Sequence, residues 1–272
     1  MAGADYKANL IVDPDCSLFG QLARTRLEEM ASATSEDVLI WNVFRSLDVL
    51  GKLGLFLHLV DPGLERELPA LIYYWARWER FGWRRPPDVE AALKAMEPGA
   101  GPHAEPDIII RTAGSAVVIE CELGGPGEAG HRWQQDPRDG PALPSWRAFE
   151  ESFGAPLFQA DFGPDQQQRY ARLVRSYLLG LGLARELSLT ACYLVALVNG
   201  ANAQARADGQ TLEEEFHAFH RMLRPVLVPH PSRVQLRLLT WQELRDRLAG
   251  DARCKKLHRF LSTHPLLAES PT

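Results

Sequence analysis

The chain has 272 residues, 46% hydrophobic and 24% charged, with 30 basic against 35 acidic side chains and a net charge of −5. Those proportions exclude a disordered chain, a collagen-like chain and a disulfide-stapled miniprotein, and allow a sizeable core. The negative balance argues against a wholly basic nucleic-acid coat but leaves room for a local basic groove. Lysine is scarce, with Lys7, Lys52, Lys94, Lys255 and Lys256 the only five.

In chain order, Leu18, Leu22, Leu27 and Met30 predict a helix over 17–31. A second helix opens after Thr34 or Ser35, either of which can cap it, with Glu36 and Asp37 at the positive end of the dipole. Ile40, Val43, Phe44 and Leu47 share one face, and Gly51 ends the helix. The aromatic run LPALIYYWARW at 68–78 leans towards a strand, although its length also allows a helix. A Gly/Pro loop, EPGAGPHAEP, follows. Asp107-Ile-Ile-Ile and Ala116 to Leu123 then read as two strands of a hairpin turning at Thr112 to Ser115.

Residues 124–164 are rich in Gly, Pro and Trp and too long for an ordinary connection, so they are expected to be an insertion or lid. Trp133, Trp146 and Phe149 within it are candidates for anchoring the lid or recognising a partner. A helix is predicted over 164–180 and a buried strand over 187–198. Next come a helix over 211–223, with Thr211 and Glu214 as a capping box, a strand over 233–240, and a last helix over 241–248. One α/β domain is expected, 1–272, with a central mixed sheet and an N-terminal helical extension over 1–33. Cys16, Cys121, Cys192 and Cys254 have neither zinc nor disulfide spacing, which suits a cytoplasmic protein. The first fifteen residues lack the pattern of a signal peptide, and no apolar run approaches a membrane span.

The chemistry concentrates in EPDIIIRTAGSAVVIECEL. Strand alternation turns Val117, Ile119, Cys121 and Leu123 one way and Val118, Glu120 and Glu122 the other. Two carboxylates about 7 Å apart then share a face. Asp107, at the start of the neighbouring strand, brings a third. Such a group is electrostatically unfavourable unless a cation relieves it. A hard divalent ion takes this kind of oxygen set, and the Cys121 carbonyl is a further candidate ligand. A solvent-facing side of the sheet is the plainer alternative for Glu120 and Glu122.

Pro106-Asp107 followed by Glu120-Cys121-Glu122 resembles the PD-(D/E)xK nuclease superfamily, in which a Glu-bearing helix precedes strands carrying Asp and ExK, and a helix and a further strand follow. Glu36 lies on the preceding helix, and Gln166 to Tyr170, QQQRY, matches the QxxxY motif of some members. The resemblance covers about two thirds of the chain and implies a restriction-endonuclease-like fold and Mg²⁺- or Mn²⁺-dependent hydrolysis of nucleic acid, DNA before RNA. It implies Glu36, Asp107, Glu120 and Cys121 as metal ligands, Asp107, Glu120, Glu122 and Gln166 as the catalytic set, and Tyr170 as a contact to nucleic acid. Glu122 stands where the family carries lysine, as in ExE restriction enzymes, and Lys52 is a candidate for a migrated lysine. A catalytically inactive scaffold of the same fold is the alternative, and a homodimer is compatible with either.

Arg169, Arg172 and Arg175, spaced by three, are candidates for gripping phosphates or form a solvated charge face. WARWERFGWRR offers base-stacking aromatics among arginines, or a packed edge. His217 and His220 read as an exposed helix face rather than a zinc site.

Overall fold

A computed structural model describes residues 5–96, 105–123, 150–151, 154, 156–200, 211–224, 234–265 and 267. The lid expected over 124–164 therefore falls largely outside the described residues, together with Trp133, Trp146, Phe149 and residues 97–104 of the Gly/Pro loop.

Five strands form one mixed sheet in the order β1 (Leu71–Tyr74), β2 (Ile108–Arg111), β3 (Ser115–Glu122), β4 (Ala191–Val198) and β5 (Val234–Thr240). The first three are antiparallel, and β3, β4 and β5 run parallel. The hairpin reading holds to within a residue: Ile108 pairs with Ile119 and Arg111 with Ala116. β1 is shorter than the aromatic run that carries it. Trp75 and Ala76 adopt left-handed φ values of 48° and 60° and turn the chain away.

The described helices are α1 (Arg24–Glu29), α2 (Glu36–Val49), α3 (Leu53–Val60), α4 (Pro87–Met96), α5 (Pro164–Arg169), α6 (Ala171–Glu186), α7 (Leu212–Met222), α8 (Trp241–Leu248) and α9 (Lys255–Thr263). They cover both faces of the sheet, giving an α/β architecture. Val117, Ile119, Cys121 and Leu123 pack with α2, α3, α8 and α9 in one core; Ala116 and Val118 pack with α4, α6 and α7 in the other. The alternation inferred for β3 is therefore observed, but its second face is also closed. All eight residues of β3 are buried because α6 lies over the side that carries Glu120 and Glu122.

Three expectations are corrected. The helix predicted over 17–31 is a 3₁₀ turn at Ser17–Gln21 and the short α1, separated where Leu22 and Ala23 are extended. The helix predicted over 164–180 is two helices, because Tyr170 takes φ −111° and ψ 25° between α5 and α6. Glu36 and Asp37 do occupy the first turn of α2, but Ser35 makes no side-chain capping bond there. The Thr211–Glu214 capping box forms as read, and a second one joins β5 to α8 through Thr240 and Glu243.

Candidate functional site

β3 and β4 end side by side, with Glu122 in register with Val198. Pockets form at such carboxyl ends in α/β sheets because the backbone stops while the flanking helices continue. Here that edge is acidic. Asp107 immediately precedes β2, one position before the Ile108–Ile119 pair, and so comes alongside Glu120. Its Oδ2 accepts a hydrogen bond from the Cys121 amide at 2.8 Å. From α2, Glu36 reaches the same edge and its Oε2 accepts from the Leu123 amide at 3.0 Å. Glu120 and Glu122 are 5% and 7% exposed, and Asp107 7%.

Glu36, Asp107, Glu120 and Glu122 thus meet, although they come from separate parts of the chain. At their centre is Arg172, from the first turn of α6. Its Nη2 lies 3.1 Å from Glu120, 3.4 Å from Asp107 and 3.8 Å from Glu36; its Nη1 lies 3.3 Å from Glu122. Nη2 also donates to the Cys121 carbonyl at 3.2 Å. One helical turn on, the Ser176 hydroxyl donates to Glu120 Oε1 and steadies its second oxygen.

Arg172 faces all four carboxylates at once. Burial, reinforced by Asp107 and opposed by Arg172, lifts Glu120 to about 7. Burial, with Glu122 beside it, holds Glu36 well above the usual carboxylate range. Burial lowers the affinity of Arg172 for its proton, but the surrounding carboxylates more than reverse this, and its pKa is raised well above the usual value. Carboxyls raised by burial beside a specific charge partner make this cluster a candidate functional site.

The donor set, carboxylate oxygens and a backbone carbonyl, is of the type a hard divalent cation prefers. The arrangement is not a ready cage. Among the described residues, no group of three or more His, Cys, Asp or Glu side chains is placed to hold a metal ion. Those carboxylates face Arg172 and the backbone amides of Cys121 and Leu123.

The remaining candidates lie elsewhere. Gln166 is not among the pocket partners of Arg172: its Oε1 accepts from the Gly163 amide at 3.2 Å and closes the first turn of α5. Tyr170, expected as a nucleic-acid contact, is 2% exposed and packs against Phe219, with ring centroids 5.7 Å apart. It is a core residue, because the break between α5 and α6 turns it inward. Arg169 pairs at 3.1 Å with Glu215, whose side chain is fully buried. The Arg169/Arg172/Arg175 stripe is therefore not one phosphate-gripping face: Arg169 and Arg172 serve different acids and Arg175 is buried. Lys52 is engaged by Asp251 instead of the pocket. In the tryptophan-arginine cluster, Trp75 and Trp83 are core residues, and Arg77 and Arg85 both bind Glu105, so the packed edge is what forms. His217 and His220 are exposed, as read.

Two contributors were not legible as site residues. Ser176 became recognisable only once Arg172 was placed, four residues before it on the same helix. Asp37 lies on the wall of the site, 3.1 Å from Arg26, whose guanidinium sits 5.0 Å from the Trp75 ring centre. Burial raises Asp37 to about 6 against the pull of Arg26, with Asp107 adding to the rise.

Fold and site together define an α/β protein with a cluster of acids around Arg172 at the carboxyl edge of a mixed sheet. No family model, curated protein or solved structure matches the chain. No helix among the described residues is long and apolar enough to cross a membrane.

Proposed function

We propose that the chain is a restriction-endonuclease-like nuclease that hydrolyses phosphodiester bonds of nucleic acid, DNA before RNA, with Mg²⁺ or Mn²⁺ as cofactor. The observation that carries this reading is the convergence of Glu36, Asp107, Glu120 and Glu122 from α2, the start of β2 and the end of β3. The element order supports it: a Glu-bearing helix, three antiparallel strands, a helix, and a strand parallel to the third.

Glu36, Asp107, Glu120 and the Cys121 carbonyl would hold the ion, which when bound supplies Lewis-acid polarisation of a phosphoryl oxygen and a more acidic water. Glu122 cannot offer the positive charge of the lysine it stands for. It accepts the proton of the attacking water. Arg172 provides the positive charge within the pocket, and its planar fork suits two oxygens of a phosphate. Ser176 holds Glu120 in place by hydrogen bonding to the oxygen that does not face Arg172.

The test is incubation of the purified protein with plasmid and single-stranded DNA in Mn²⁺ and then Mg²⁺. Cleavage by the wild type should fall by about 10²-fold or more in Glu120→Ala and in Asp107→Ala, the scale on which essential electrostatic groups act. Cleavage retained in both variants would point to a contaminant and end the reading.

A second reading is favoured by one observation, the four ion pairs of Arg172. In it the pocket is permanently neutralised and the protein is an inactive relative that binds nucleic acid or another protein. DNA binding that weakens steeply with salt, with no cleavage in either metal, would select it.

A further inference from the structure

We infer that the tip of the loop joining β1 to α4 is a contact for single-stranded nucleic acid, with Phe81 stacking on a base and Arg80 and Arg84 meeting the flanking phosphates. The inference rests on nucleic acid as the partner proposed above, not on its cleavage. The structure divides the tryptophan-arginine run into two sets. Trp75 and Trp83 are core residues, and Arg77 and Arg85 are taken by Glu105. Arg80, Phe81 and Arg84 are exposed, Phe81 at 45%. Among the described residues neither arginine has an acid partner and Phe81 has no ring partner. Glu79, the acid of the tip, is engaged by Arg45 at 2.8 Å.

A singly exposed Phe is ordinary on a protein surface, but this one is held out by a braced turn. The Trp78 amide donates to the Arg84 carbonyl at 3.2 Å and the Trp83 amide to the Trp78 carbonyl at 2.9 Å, closing the base of the tip. The Gln21 side chain donates to the Gly82 carbonyl at 3.1 Å. Gly82 and Trp83 take left-handed φ values of 63° and 59°, a costly conformation for a bulky tryptophan. The chain thus reverses immediately after Phe81, with Trp83 in the core and Phe81 in solvent. A ring fixed in advance loses little freedom on binding. It offers a stacking platform to any base, while guanidiniums beside it meet phosphate. An acidic peptide would satisfy the arginines but leave the ring without a stacking partner. The root of the loop is tied to the candidate site, because the Trp75 amide donates to the Asp107 carbonyl at 3.0 Å.

The test measures binding in EDTA, where a metal-dependent cut does not occur. Fluorescence anisotropy with a labelled single-stranded DNA oligonucleotide would compare the wild type with Phe81→Ala, Phe81→Trp and the double variant Arg80→Gln/Arg84→Gln. Phe81→Ala should weaken binding about tenfold without changing its salt dependence, and Phe81→Trp should bind within about twofold of the wild type or more tightly. The double variant should lower the slope of log affinity against log salt by about 0.7 for each arginine removed. All three side chains are exposed, so melting temperatures should be unchanged. No binding by the wild type, wild-type affinity in Phe81→Ala, or equal losses in Phe81→Ala and Phe81→Trp overturns the inference. So does polyglutamate that competes as well as an oligonucleotide of equal charge, which would mark a protein-binding surface. Binding that behaves as expected, with no cleavage in Mn²⁺, ends the nuclease reading alone. Cleavage that depends on Glu120, with binding indifferent to Phe81→Ala, ends this inference alone.

Discussion

Arg45 and Arg172 are each ringed by carboxylates, and the two sets of acids differ in exposure. Arg45 meets Asp13 at 2.8 Å, Glu79 at 2.8 Å and Asp48 at 3.0 Å, and lies over the rings of Trp41 and Trp83. Its partners keep 36%, 53% and 29% of their side-chain surface in water, so solvent completes their neutralisation. Arg45→Ala should cost about 2–3 kcal/mol, below the usual loss for a buried ion pair because the acids left behind are hydrated; urea denaturation would read this as a lower midpoint. Among the acids near Arg172, burial raises Glu120 and Asp37, and this makes stability depend on pH. Glu120 lies at about 7 in the folded protein against an ordinary 4.5, and Asp37 at about 6 against 3.8. Both folded values are raised, so the folded state binds these protons more tightly than the unfolded state. Their contribution is complete below about pH 4 and is lost as pH rises through 6 and 7. In chelator-treated protein the melting temperature should fall between pH 5 and pH 7, and Glu120→Gln should flatten that slope. An unchanged slope in the variant would show that Glu120 does not titrate there. Residue identities at the pocket were legible because β3 alternates strictly and Asp107 begins the preceding strand. The role of Arg172 was not, because a spacing of three on a helix does not reveal the break at Tyr170 that separates Arg169 from it.

Among the elements, α6 does most to create the site, since it closes the sheet face over Glu120 and Glu122 and supplies Arg172 and Ser176. Its close approach depends on glycine. A Cβ at Gly180 would come 2.9 Å from Cys192 Sγ on β4, whereas one at Gly182 would meet Ala92 on α4 at 3.4 Å, an ordinary contact. Gly180→Ala should therefore destabilise the protein by about 1–2 kcal/mol despite its better helix propensity, and Gly182→Ala should be neutral or stabilising by up to about 1 kcal/mol. Combining Gly180→Ala with Cys192→Ala should recover part of the loss in a double-mutant cycle, and a strictly additive result would place the strain elsewhere. Long elements with a clear period or a capping box, such as α2, α7, β4 and β5, were readable in the sequence. The short α3 and the terminal α9 were not singled out, because an almost wholly apolar eight-residue run and a nine-residue helix with only Leu257 and Leu261 buried give little periodic signal.

For the molecule as a whole, the sheet divides the apolar interior into two cores, and its centre is the most deeply protected backbone. β3 is buried along its full length and β4 is buried from Cys192 onwards, whereas in β5 only Leu239 is fully buried. Native-state hydrogen exchange should be slowest in β3 and β4 and faster in β5, because local opening follows burial and edge position. Equal protection across the three strands would contradict that gradient. Since β3 also carries Glu120 and Glu122, the proposed site rests on the most stable part of the fold. This can offset the cost of crowding acids there.

The sequence alone determined the alternation of β3, the pairing of the β2–β3 hairpin, the capped start of α7 and the α/β class, because each follows from local periodicity and short-range hydrogen bonding. Only the tertiary structure decided that the face carrying Glu120 and Glu122 is enclosed rather than wet, that Glu36 crosses to the same edge, and that one arginine among 25 occupies the centre of the pocket. Those outcomes depend on how α2 and α6 pack against opposite sides of the sheet. Such packing is a long-range balance of buried area and charge that no local window of sequence contains.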